Sequence, residues 1–174
     1  REWVYSLKGA DGTPVRRVLY RLPEVVAGVE GGRSVFVVEG EKDADAVAAL
    51  GVVATTSPQG AGKWEDGFAA PLATAARIVV CPDNDPPPAK AKDKGYPGQR
   101  HVADVVRSLL KAGVAPDRIR VVEFPGCKDA SDWIAGGGTK EALRDLVSDA
   151  PTGLEWLAVW EPRLGGGNPR GPTA

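Results

Sequence analysis

Two stretches decide the fold: "SVFVVEGEKDADAVAALG" at 34–51 and "RIVVCPDND" at 77–85. The first opens on a run of β-branched and aromatic residues that ends in an acid, the pattern of a strand buried on both faces. Its alanines, Val47 and Leu50 then read as a helix closed by Gly51. The second stretch is again an apolar strand running into acids. Between them, "VVATTS" reads as a strand and "WEDGFAAPLATAA" as a helix interrupted at Pro71. Downstream, "GQRHVADVVRSLLKAG" is amphipathic, with Val102, Val105, Val106, Leu109 and Leu110 on one side. A fourth strand, "RIRVVEF", and a helix, "TKEALRDLVSDA", follow. Strands that alternate with helices of this length predict an α/β fold, a mostly parallel sheet with helices on both faces.

The flanks read differently. "WVYSL" (3–7) and "VRRVLYRL" (15–22) enclose the turn-rich "KGADGTP", which predicts a β-hairpin, and "LPEVVAGVEGG" (22–32) reads as a connector. Arg16, Arg17 and Arg21 alternate with apolar residues, as on the exposed face of a strand. Near the other end, Trp156 and Trp160 are four apart and share one face of a helix that packs on the body. "GGGNPRGPTA" reads as a linker. The expected organisation is a hairpin and connector over 1–32, the main α/β domain over 33–150, and a helix with a tail over 151–174.

Composition narrows the function. A chain of 174 residues with 43% hydrophobic residues builds one globular core. A net charge of -1 excludes a generally basic nucleic-acid binder, so any such contact needs a local patch, a metal or a partner domain. Cys81 and Cys127 form no CxxC pair, which argues against structural zinc and for two free thiols in a reducing compartment. His101 stands alone as the single histidine, which argues against a metal role for it. Neither a signal peptide nor a long apolar run is visible, so a cytoplasmic protein without a membrane partner is expected. The chain begins at Arg1 rather than Met, as a piece of a longer protein would.

In open α/β sheets the chemistry lies beyond the carboxyl ends of the strands. There this sequence places Glu39, with Asp43 one helical turn on. It places Asp83 and Asp85 in "PDND", and Lys128, Asp129 and Asp132 in "PGCKDASDW". Single acids in such places often only cap helices. Acids converging from three strand ends repel one another, and a cation relieves that repulsion. Oxygen ligands without His or Cys suit Mg2+ or Mn2+, the usual ions of metal-assisted phosphoryl transfer. Lys42 and Lys128, beside the acids, either hold a phosphate or balance local charge.

"SPQGAGKW" (57–64) imitates a phosphate-binding P-loop, but Ser57 stands where the first glycine belongs and Trp64 where a Ser or Thr would hold Mg2+. It reads instead as a loop on the rim of the acids. Either Gly60 and Gly62 bring amides to a phosphate that Lys63 also contacts, or the glycines only turn the chain and Trp64 anchors in the core. "PPPAKAKDKGYPGQR" (86–100) adds Lys90, Lys92, Lys94 and Arg100, as a guide for template or nucleotide or as a solvated insert.

"VVEGEKDADAVAALG" followed by "VVCPDND" resembles the Toprim domain of primases, topoisomerases and some nucleases. With "YRLPE", "ATTSPQGAGKW" and "KDASDW" around it, the likeness over residues 18–148 is greatest to DNA primases and primase-helicases of phage and plasmid type. The resemblance implies a Rossmann-like sheet. It implies that Asp83 and Asp85 ligate Mg2+ or Mn2+ and that Glu39 ligates metal or acts as general acid or base. Asp43 matches the place of a second acid and Asp129 that of a third acidic cluster. The implied activity is synthesis of RNA primers from NTPs on a single-stranded DNA template, with a replicative helicase or a fused helicase or zinc-binding domain as partner. A metal-dependent nuclease or a noncatalytic nucleic-acid-binding module carries the same signature. The stretch after the second acid is longer than in compact primases, a departure from the pattern.

Overall fold

The computed structural model describes residues 12–13, 15–60, 62–84 and 96–164. Its centre is a four-stranded parallel sheet of β1 (Val35–Val37), β2 (Val53–Thr55), β3 (Ile78–Val80) and β4 (Ile119–Val121), in the order β2-β1-β3-β4. The strands are short and largely apolar, as suits a sheet covered on both faces, with Arg120 the charged exception in β4. Val35 and Val37 point to one side with Val53, Ile78, Val80, Ile119 and Val121. Phe36 and Val38 point to the other with Ala54, Val79 and Val122.

Two cores follow from that alternation. On the first face lie α1 (Leu22–Glu30), a 3-10 helix (Asp66–Leu72), α3 (Pro97–Lys111) and α6 (Gly153–Trp160), which contribute Val25, Leu72, Val102, Val106, Leu109 and Trp156. On the second lie α2 (Glu41–Ala49), α4 (Ala130–Ala135) and α5 (Lys140–Asp149), with Ala44, Val47, Ala130, Leu143 and Val147. The expected α/β architecture, four strands and helices on both faces, is therefore present. Trp156 and Trp160 do share a face: their rings stack at 5.6 Å, and Trp156 is 4% exposed.

Three expectations need correction. The second strand of the hairpin does not form, since Val15–Leu19 adopt no strand; the first, at 3–7, lies outside the described residues. "LPEVVAGVE" is a helix rather than a connector. Pro23 suits the first turn of a helix, and Val25 and Gly28 then face inward together. A Cβ on Gly28 would lie 2.5 Å from Val53 Cγ2, so only glycine lets α1 sit this close to β2. The helix read at 64–76 is a 3-10 helix of seven residues with Pro71 inside it.

Among the described residues no helix is long and apolar enough to cross a membrane. Cys81 and Cys127 are both free thiols, as expected.

The α1–β2 contact is testable. Gly28→Val forces a branched side chain against Val53 and is expected to destabilise the fold by about 2 kcal/mol, read as a lower urea midpoint with an unchanged m-value.

Candidate active site

The strand order creates the site. The chain leaves β1 for β2 on one side and then returns to place β3 on the other side of β1. Such a switch point opens a crevice beyond the carboxyl ends of the two central strands. Here Glu39 follows β1 and Asp83 follows β3. Val37 and Val80 are paired in register, and Cys81 N–H donates to Val37 O at 2.9 Å. Continuing that register past the sheet brings the acids together: Asp83 N–H donates to Glu39 Oε1 at 3.1 Å.

Several neighbours fix this pair. Thr56 Oγ1–H, from the end of β2, donates to Glu39 O at 2.9 Å. Gln99 Nε2–H, from α3, donates to Asp83 O at 3.3 Å. Asn84 ties the rim to the loop after β4: its N–H donates to Lys128 O at 2.7 Å, and its Nδ2 donates to Cys127 O at 2.6 Å and to Phe124 O at 2.8 Å. These residues were not singled out in the sequence reading. Asn84 lies between two acids and Thr56 sits at a strand end, but their partners are 17 to 44 residues away and no spacing reveals them.

Asp43 and Asp129 occupy a second, more buried position. Asp43, 8% exposed, accepts from Ser131 N–H at 3.0 Å and so pins α4 to α2. Asp129, 7% exposed, is the N-cap of α4 and accepts from Asp132 N–H and Ser131 Oγ–H, both at 2.8 Å. Burial works against the charge on Asp129. The two hydrogen bonds and the nearby Lys42 and Lys128 outweigh it and hold the carboxyl below its ordinary range. Asp132 gives only its amide to this cap and is exposed. Lys42 and Lys63 are exposed, and Lys128 Nζ lies within 4 Å of Asp83 and Asp129.

Asp85 lies outside the described residues, as do Lys90, Lys92 and Lys94. Among the described residues no three His, Cys, Asp or Glu side chains are grouped to hold a metal ion. The adjacent Glu39 and Asp83 nevertheless suit a hard cation in kind, being carboxylates without a soft ligand beside them. A cavity of about 510 Å3 lies elsewhere, between β4 and α6, lined by Val121, Trp156 and Trp160 but by none of these acids.

The glycine loop is not a P-loop. Gly60 and Gly62 have φ of 76° and 73°, which glycine alone adopts freely. Their amides turn inward: Gly60 N–H donates to Ser57 O at 3.3 Å, and Gly62 N–H donates to His101 Nδ1 at 3.2 Å. The amides offered for a phosphate are thus already used. Trp64 packs against Phe68 at 5.7 Å and His101 at 6.3 Å, as the anchoring alternative requires. His101 is 2% exposed, and because Nδ1 accepts, the ring is held neutral with its proton on Nε2. Burial pushes its pKa down to about 4.

Two outcomes follow from these side chains. A histidine that titrates near 6.5 when unfolded and near 4 when folded favours the native state fully above pH 6.5 and progressively less as pH falls towards 4. Chemical denaturation at pH 7 and pH 4 should therefore show wild type losing roughly 3 kcal/mol more than His101→Gln. Asp43→Ala leaves Ser131 N–H unpaired in the interior and is expected to cost about 2 kcal/mol in the same assay at pH 7.

No protein-family model and no curated protein sequence matches the chain. Solved structures do. A DNA primase domain from Pseudomonas aeruginosa superposes with a TM-score of 0.64 at 21% identity, over 87% of this chain and 45% of that one. A DnaG primase catalytic domain bound to single-stranded DNA gives 0.62 at 21% identity, over 83% and 43%. The zinc-binding and RNA polymerase domains of the Aquifex aeolicus primase give 0.61 at 22% identity, over 83% and 32%. The chain spans less than half the length of each of these structures. It has the Toprim-type α/β fold found in these primase catalytic cores.

Proposed function

We propose that this chain is the Toprim-type catalytic domain of a DNA primase, joining NTPs into short RNA primers on a single-stranded DNA template. The observation that carries the reading is the hydrogen bond from Asp83 N–H to Glu39 Oε1 at the switch point of the sheet. It places the acids after β1 and β3 side by side in a fold shared with primase cores, one of them bound to single-stranded DNA.

In this reading Glu39, Asp83 and Asp85 would hold Mg2+ or Mn2+, which when bound would supply positive charge for the attacking hydroxyl and the leaving pyrophosphate. Glu39 would alternatively act as the general acid or base. Thr56 and Gln99 keep both acids in register through their backbone carbonyls. Asn84 holds the loop of Lys128 against the rim, where Lys128, with Lys42 and Lys63, attracts triphosphate or template phosphates. Asp43 and Asp129 support the site by docking α4. A near-neutral chain gains little affinity for DNA from its overall charge. The reading therefore includes a partner: a zinc-binding domain, as in the Aquifex primase named above, or a replicative helicase. The setting is the cytoplasm.

A primer-synthesis gel tests the proposal, with single-stranded DNA, four NTPs, one of them labelled, and Mn2+. Wild type is expected to yield short labelled products that fall at least a hundredfold in Asp83→Ala and Glu39→Gln. Shortened template that is lost in both variants would replace primer synthesis by nuclease chemistry.

A further inference from the structure

The rim already contains a cation. Lys128 Nζ lies 3.9 Å from Asp83 Oδ2 and 3.8 Å from Asp129 Oδ2. One ammonium thus spans the carboxylates that follow β3 and β4. The main chain beneath it is fixed, because Asn84 N–H holds Lys128 O at 2.7 Å and Asn84 Nδ2 holds Cys127 O at 2.6 Å. The side chain above is not fixed. It is 65% exposed, whereas the carboxylates of Asp83 and Asp129 are 19% and 10% exposed. Both ion pairs are at the long end of contact, with the ammonium in water, so each is weak and easily exchanged.

We propose that Lys128 is the resident counter-ion of the metal-free site and the switch between its two states. Without metal, its ammonium relieves the repulsion between Asp83 and Asp129. With a divalent cation bound at Asp83, Lys128 loses that partner and is repelled by the added positive charge. Its flexible stem lets the ammonium turn outward. There it meets the phosphates of an incoming nucleotide. Lys42, which also acts on Asp129 from the start of α2, keeps that acid neutralised when Lys128 leaves. The inference rests on the reading of Asp83 as a metal ligand.

Its signature is a pair of effects of opposite sign. Removing Lys128 removes a competitor for the cation and, separately, a contact for the nucleotide. A role in structure alone would weaken both. Mn2+ alone is titrated into wild type, Lys128→Met, Lys128→Arg and Asp83→Asn, and free Mn2+ is followed by electron paramagnetic resonance. Lys128→Met is expected to bind Mn2+ about fivefold tighter than wild type, with Lys128→Arg close to wild type. At saturating Mn2+, the same Lys128→Met protein is expected to bind a non-hydrolysable NTP analogue several-fold more weakly. Mn2+ binding by Lys128→Met that is equal to or weaker than wild type overturns the proposal, as does nucleotide binding that does not weaken. Mn2+ binding that persists unchanged in Asp83→Asn overturns instead the ligand reading beneath it. Absence of binding in wild type and Lys128→Met alike overturns both.

Discussion

The site depends on one constraint: two acids from neighbouring parallel strands have to share a rim without driving it apart. The hydrogen bond from Asp83 N–H to Glu39 Oε1 meets that constraint. A backbone amide gives a carboxylate a donor that carries no net charge and costs no side-chain entropy. It also ties the strand ends together just beyond the backbone ladder that runs through Val37 and Val80. Thr56 from the end of β2, Gln99 from α3 and, through Asn84, the loop after β4 are tied to this contact.

The remaining acids are handled in a second way. Asp43 and Asp129 are buried, and the Oδ1 atom of each accepts from one short stretch: Ser131 N–H on Asp43, Ser131 Oγ–H and Asp132 N–H on Asp129. The result is a helix, α4, nailed to α2 at its first turn. Residues in such positions look like ligands in a sequence, since they are acids at a strand end. In the fold Asp129 Oδ1 caps α4 and Asp43 Oδ1 staples it to α2.

The glycine loop shows how misleading a motif is without its hydrogen bonds. "SPQGAGKW" has the glycines and lysine of a phosphate cradle, but the amides face inward, one of them onto His101. His101 is thereby explained without a metal. The buried neutral ring is an acceptor that ties a rim loop to α3, at the cost of a histidine that resists protonation. The misread hairpin has a related cause. "VRRVLYRL" is rich in β-branched and aromatic residues like a strand, but the Tyr20 backbone bonds only to the end of β2, and tertiary contact of Val25 and Gly28 with the sheet favours a helix over Leu22–Glu30.

The sequence alone determined the alternation of strands and helices, because buried parallel strands are written as short unbroken apolar runs and amphipathic helices by their period. It also determined which acids lie at strand ends, since Glu39 and Asp83 follow apolar runs closely and Asp129 lies in the loop after the last one. Only the tertiary structure decided which of these acids meet. That depends on β1 lying between β2 and β3, a spatial order that no local pattern encodes. It likewise decided that Asp43 and Asp129 each give one oxygen to α4, and that Asn84 and Thr56 support the rim. Hydrogen bonds between residues far apart in the chain come from folding geometry, and periodicity and spacing register only what neighbours do.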